Sequence, residues 1–187
     1  EQCSTLPPGH KFQYSAVLRR STKFSFFNSV ISGYPWGISL RDATTQGFAN
    51  SGDLQVRNTS LTASLQPSGS SSVHDETRWA SVTNWFDTPG WANIGSLPRL
   101  PAAVGLTNVC APCNPNAIPA PGSELINSAD FSSPKLAPSF FEVVTYRGAF
   151  DPNLSLEQQW TACWTNFCPQ DFWNPATDVA QDGRAPR

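Results

Sequence analysis

The chain has 187 residues, of which 14% are charged, and its net charge is −2. Nucleic-acid binding needs a basic face to replace counterions, so this balance argues against it. No apolar run approaches the roughly 20 residues that span a bilayer, so no transmembrane segment is expected. The length suffices for one core, or one core plus a tail. Aromatics make up 12%, too many for a disordered segment. The 17 prolines, with abundant Ser, Thr, Asn and Gly, read as all-β with long irregular connections. The chain opens Glu1-Gln2-Cys3 with neither a basic nor an apolar leader segment, and it contains no Met. It is therefore expected to be a processed product or a fragment whose targeting signal lies upstream.

In chain order, Ala16-Val17-Leu18 reads as a short strand. An internal repeat follows: Phe24-Ser-Phe-Phe-Asn28-Ser-Val-Ile-Ser-Gly33 aligns with Leu54-Gln-Val-Arg-Asn58-Thr-Ser-Leu-Thr-Ala63 at a constant offset of 30 residues. Apolar residues alternate before each Asn, the period of a strand, and the phase changes after it, so the chain bends there. A fixed-period repeat of this kind suggests stacked units that cannot bury their faces alone. In a parallel β-helix, Asn28 and Asn58 would stack about 4.8 Å apart in adjacent coils. Their inward-turned amides would bond to each other and to the bend backbone. Between the copies, Gly33-Tyr34-Pro35-Trp36-Gly37 reads as a turn, Ile38 to Asp42 as a short strand and Ala43 to Gly52 as a polar loop.

The segment from Pro67 to Ser72 reads as a Ser/Gly linker. One α-helix is predicted from about Val73 to Phe86, with Ser72 as its cap and Asp75 as the acidic residue of a capping box. Asp87-Thr-Pro-Gly90 ends it. From Trp91 to Ser139 the chain is Pro-rich and irregular, Phe140 to Phe150 is strand-like, and the last fifteen or so residues read as a loose terminus. The organisation expected is β-helix coils over 1–66, a linker and capping helix over 67–90, and a Pro-rich segment over 91–187 that packs on the coils.

Cysteines stand at 3, 110, 113, 163 and 168, two close pairs and one left over. Cys110-Ala-Pro-Cys113 is a CxxC, but Cys163 and Cys168 have the wrong spacing for a second metal knuckle, and His10 and His74 lie far away in sequence. Local disulfides in an oxidising compartment are the favoured reading, with metal binding and free thiols as the alternatives. No cofactor is expected. Arg19, Arg20, Arg41 and Arg57 have no accompanying Asp cluster and read as solvated edge charges. Glu142 and Asp130 are too far apart to count as a carboxylate pair, and no Ser sits in a nucleophile elbow. Tyr34 and Trp36 are candidates for stacking against a sugar, weighed against burial of their rings in a core.

Several segments resemble a family of long secreted proteins from Bacteroidota and related bacteria, many of unknown function. The resemblance rests on Leu18-Arg-Arg-Ser-Thr22 through Gly33-Tyr-Pro-Trp-Gly37, with Asn28-Ser-Val30 inside it. It rests also on Ala103-Val-Gly-Leu-Thr107, Pro121-Gly-Ser-Glu-Leu125, Phe140 to Phe150 with its Tyr146-Arg-Gly-Ala-Phe150, and Trp160-Thr-Ala-Cys-Trp164-Thr-Asn-Phe167. Together these touch most of residues 16 to 170. The resemblance implies a right-handed parallel β-helix of which this chain is the C-terminal part, with earlier coils before Glu1, and it implies export. It brings no catalytic residues. Cys163 and Cys168 stand where the pattern has Gly and Asp, and their joint appearance favours a bond between them; a Cys110–Cys113 bridge is expected beside it. The expected function is a non-catalytic structural or assembly protein of the extracellular space or outer cell surface. Its N-terminal edge would be covered by upstream coils or a neighbouring subunit. The alternative is a β-helix protein that binds or cleaves a polysaccharide.

Overall fold

A computed structural model of the protein describes residues 14–34, 36–63, 73–74, 82–109, 111 and 113–168. Strands β1 (Tyr14–Leu18), β2 (Phe26–Phe27), β3 (Val30–Tyr34) and β4 (Trp36–Leu40) lead into helix α1 (Ala43–Ser51). Strands β5 (Val56–Arg57), β6 (Ser60–Ala63) and β7 (Val73–His74) follow, then a short helix α2 (Val82–Phe86). An antiparallel pair, β8 (Leu106–Asn108) and β9 (Asn116–Pro119), is the last sheet. Beyond it the described chain runs to Cys168 as turns and bends with two short 3-10 helices.

The expected parallel β-helix is not what forms. The strands are two to five residues long and are divided among one three-stranded sheet, in the order β1-β4-β7, and three two-stranded sheets, β2-β5, β3-β6 and β8-β9. No sheet closes or runs on as a solenoid among the described residues. The 30-residue repeat is nonetheless a pairing repeat. Phe26 stands opposite Val56, Val30 opposite Ser60 and Ile31 opposite Leu61, all in parallel. Side chains keep the same offset: Lys23 pairs with Asp53 (2.9 Å), the Ser25 hydroxyl accepts from the Gln55 N–H (3.0 Å) and the Thr62 hydroxyl donates to Ser32 (2.7 Å).

What keeps the strands short is a left-handed bend. Asn28 (φ 49°) and Asn58 (φ 50°) end β2 and β5, and Ala92 (φ 50°) repeats the bend once more. The left-handed region costs an L-residue roughly 1–2 kcal/mol, and Asn visits it more readily than most. The Asn28 N–H donates to the Arg57 carbonyl (3.2 Å) and the Asn58 N–H to the Trp91 carbonyl (2.7 Å), so each bend hangs on the residue before the next one. The amide side chains find their partners far downstream rather than in one another. Asn28 exchanges two bonds with the backbone of Asp130 (3.1 and 2.8 Å), and Asn58 donates to the Ser128 carbonyl (3.1 Å).

Leu18, Ile31, Ile38, Leu40, Leu54, Val56 and Leu61 form the core, closed by Ala49 of α1 and by Val82, Trp85 and Phe86 of α2. Gly37 lies directly beneath Leu61, whose methyl groups occupy the space a Cβ would need. The segment expected to be a polar loop is α1. The Asp42 carboxylate accepts from the Thr45 N–H (2.9 Å) at its start, and Gly52 (φ 79°) terminates it. Caps at both ends outweigh a composition with little helix propensity. Of the helix predicted over 73–86, Val82–Phe86 is helical, while Val73–His74 is strand β7 and pairs with the edge of β4; residues 75–81, and with them the proposed cap Asp75, lie outside the described residues, as does Ser72. The strand expected over 140–150 does not form. The backbone there divides its bonds, with Arg147 N–H to Leu125, Gly148 N–H to Asn28 and the Thr145 carbonyl accepting from Ala129.

A charged network ties this downstream segment to β6. Arg99 forks onto Glu124 (3.1 and 2.7 Å). Buried Arg147 donates to the Ser128 carbonyl (3.0 Å) and the Ser60 hydroxyl (3.4 Å). Desolvation pushes the Glu124 carboxyl up. Hydrogen bonds from Arg99 and Ser60, with the charges of Arg99 and Arg147, outweigh it and hold the group below its ordinary value of 4.5.

Two outcomes follow for stability. Asn58→Gly removes the bond to Ser128 but tolerates the bend, and should cost about 1 kcal/mol. Asn58→Ala adds the left-handed strain, about 1–2 kcal/mol more. Chemical denaturation measures both, and equal losses would show that the backbone geometry contributes nothing. Because the folded pKa of Glu124 is depressed, its contribution is present above pH 4.5 and is lost as pH falls through the lower folded value. Glu124→Gln should cost about 1–2 kcal/mol at neutral pH, less than a fully buried pair because water still reaches it. The variant should also lose part of its acid sensitivity in pH-dependent denaturation.

Candidate functional site

The first three strands each have a neighbour on one side: β1 has β4, β2 has β5 and β3 has β6. Among the described residues no strand pairs with their other sides. In a parallel pair alternate amides point toward the partner. Phe26 and Asn28 donate to Gln55 (2.9 Å) and Arg57, so the Phe27 N–H points away from β5. Beside this outer edge lies a groove of about 580 Å³. Its lining includes Phe24, Phe26 and Phe27 from around β2 and Phe131, Phe141 and Tyr146 from the downstream segment, and Phe26 packs against the core as well. Phe24 is exposed and meets Phe26 edge-on, with centroids 5.0 Å apart.

The lysines at the groove are already engaged, and Glu142 stands exposed in its lining. Lys23 pairs with Asp53, whose carboxyl it holds below the usual range. Lys135 bonds to the Ser25 hydroxyl (3.2 Å) and to the Asp53 carbonyl. Burial, then the charges of Asp151 and Glu142, push the Tyr146 hydroxyl up. The groove therefore offers apolar rings and one carboxylate beside a strand whose outer side no described strand pairs. Sequence reasoning did not single out these rings, although the crowding of Phe24, Phe26 and Phe27 beside a strand, echoed by Phe140 and Phe141, was the available signal.

The stacking candidates are placed differently from expectation. Tyr34 closes β3 and Trp36 opens β4, so strand runs up to either side of Pro35, which itself lies outside the described residues. Trp36 stacks on Tyr14 (6.0 Å, 23°), and Arg41 sits over the other ring of that pair, 5.2 Å from the Tyr14 centroid. Trp36 is thus packed within the β1–β4 sheet, while Tyr34 is exposed. Among the described residues no three His, Cys, Asp or Glu side chains gather where they could hold a metal.

The cysteines are a correction. Cys113 is bonded to Cys168, across 55 residues and with Cα atoms 4.9 Å apart. This replaces both the Cys163–Cys168 and the Cys110–Cys113 bridges; Cys163 is an exposed free thiol, and Cys3 and Cys110 lie outside the described residues. Cys163 sits in the turn 161–164 with a left-handed backbone (φ 68°), while Cys168 follows that turn and returns to the 113 loop. In the chain-entropy account, a link across a loop of this size stabilises by about 4 kcal/mol, whereas bridging neighbours five residues apart would constrain the unfolded chain far less.

No helix among the described residues is long and apolar enough to cross a membrane. Comparison with protein-family models, curated proteins and solved structures finds no match to the chain.

Non-reducing peptide mapping should recover a linked Cys113–Cys168 peptide, with Cys163 alkylated before reduction. A linked Cys163–Cys168 peptide would overturn this pairing.

Proposed function

We propose that the chain is a non-catalytic extracellular assembly protein that docks a further strand, from outside these 187 residues, along the outer edge of β2. The observation that carries this reading is the one-sided pairing of β2, among the described residues, beside a groove lined with phenylalanine rings. An open strand edge is a template for further pairing. Strand addition draws its affinity from main-chain hydrogen bonds and its specificity from pockets beside the edge. Phe27 supplies an outward N–H of the first kind, and the groove supplies the second.

The setting is supported by the Cys113–Cys168 bond, since disulfides persist in oxidising compartments. The docking strand comes from an upstream part of the same protein or from a neighbouring subunit. In the second case the contact is heterologous. A patch that does not close on itself keeps growing, and the product is a filament.

Sedimentation velocity on the 187-residue chain tests the proposal. The expected result is association that rises with concentration. Phe27→Pro removes the outward N–H while leaving the Phe26 and Asn28 bonds to β5 in place, so it should lower association with the circular dichroism unchanged. A chain that stays monomeric at all accessible concentrations, or a Phe27→Pro variant that associates as strongly as the parent, would overturn it.

A further inference from the structure

We infer that Phe150, Trp160 and Trp164 form a stacking platform for an uncharged polysaccharide. Trp160 contacts the other two rings, of which Phe150 is half-buried. Centroids are 6.0 Å apart from Phe150 to Trp160 and 5.6 Å apart from Trp160 to Trp164, with the planes tilted by 51° and 46°. Trp160 is 55% exposed and Trp164 68%. Leaving two indoles in water forfeits the largest apolar burial any side chain offers, and contiguous exposed apolar surface marks interaction sites.

The three rings are held in place before any ligand arrives. The Gln159 side chain, 4% exposed, accepts from the Asp151 N–H (3.1 Å) and donates to the Asp151 (2.8 Å) and Leu154 (3.0 Å) carbonyls. It thereby pins the 151–154 turn that follows Phe150 beneath Trp160. The Trp164 indole N–H donates to the Trp160 carbonyl, and the Thr165 hydroxyl to the Thr161 carbonyl (2.8 Å). Cys163 takes a left-handed backbone immediately before Trp164, and the Cys113–Cys168 bond anchors the end of the segment. Non-glycine residues keep such a conformation where the surroundings over-determine it, often at functional positions. Preorganisation lowers the ordering cost of binding.

Charge selects the ligand class. From Ala149 to Cys168 the chain carries Asp151 and Glu157 and no Lys or Arg. Asp151 accepts from the Asn153 backbone and side chain, and Glu157 from the Ser155 hydroxyl (2.8 Å). Both local charges are therefore negative. A uronic-acid or sulfated chain, or an anionic lipid surface, would meet repulsion from these two carboxylates. A neutral sugar chain presents C–H faces to the rings. The successive tilts suit a chain that twists from one residue to the next. This site is separate from the β2 edge, and the inference does not rest on the assembly reading.

Affinity electrophoresis of the full chain through hydroxyethylcellulose, glucomannan or laminarin, with alginate as the acidic control, tests the inference. Retardation by at least one neutral polymer is expected. Trp160→Ala and Trp164→Ala should each weaken it about tenfold, the loss expected for one good aromatic stack. Trp160→Phe should retain most of the binding and Trp36→Ala should leave it unchanged. Phe27→Pro should also bind as the parent does, which separates this site from the assembly edge. No retardation by any neutral polymer, retardation by alginate alone, or binding that survives both Trp→Ala changes would overturn it. So would partition of the chain onto phosphatidylcholine vesicles without polysaccharide binding.

Discussion

The left-handed bend at Asn28 and Asn58 is the constraint on which the rest of the architecture depends. Each bend ends a two-residue strand, turns the chain into the next short strand and leaves its own N–H facing the residue that precedes the following bend. A side chain that tolerates positive φ is needed there. Asn supplies it, together with an amide able to bond outward on both its donor and acceptor sides. Those amides reach Ser128 and Asp130, and the Asn28 carbonyl accepts from the Gly148 N–H (2.7 Å). The bends therefore connect the first third of the chain to its last third. Without regular secondary structure, the segment beyond β9 has few other ways to satisfy its backbone.

Around that axis the chain divides its surfaces by chemistry. The inner sides of the strands make the apolar core, and the Arg99–Glu124 pair with buried Arg147 fastens the irregular segment against Ser60. The outer edge of β2 faces a groove lined with rings, whose nearby lysines already have partners. The exposed indoles of Trp160 and Trp164, with half-buried Phe150 against Trp160, lie on the segment that the disulfide anchors. A strand side with no described partner suits a polypeptide strand, and exposed indoles near two carboxylates suit a neutral sugar chain. A surface protein that both assembles and adheres would combine the two.

Where the sequence misled, it did so through distance. The spacing of Cys163 and Cys168 favoured a local bond, yet Cys168 found Cys113 because the turn at 161–164 carries the chain back to a loop 55 residues earlier. Ala43 to Ser51 has little helical character of its own and became a helix because Asp42 and Gly52 cap it. Val73 looked like the start of a helix and was taken as a strand by the free edge of β4. Phe140 to Phe150 has the composition of a strand, but its amides and carbonyls are claimed by separate partners.

The sequence by itself determined the 30-residue register, the strands at β1 and β4 and the bend at each Asn. These are properties each copy carries in its own alternation and in one residue able to adopt positive φ. It did not determine how far the pairing extends, and the solenoid inferred from the repeat gave way to small separate sheets. Tertiary structure alone decided the disulfide partner, the downstream acceptors of the Asn amides, the phenylalanine groove and the contacts of Trp160 with Phe150 and Trp164. Each of these joins residues whose separation in the chain has no period, so their meeting depends on the path of the intervening segments and not on any local pattern.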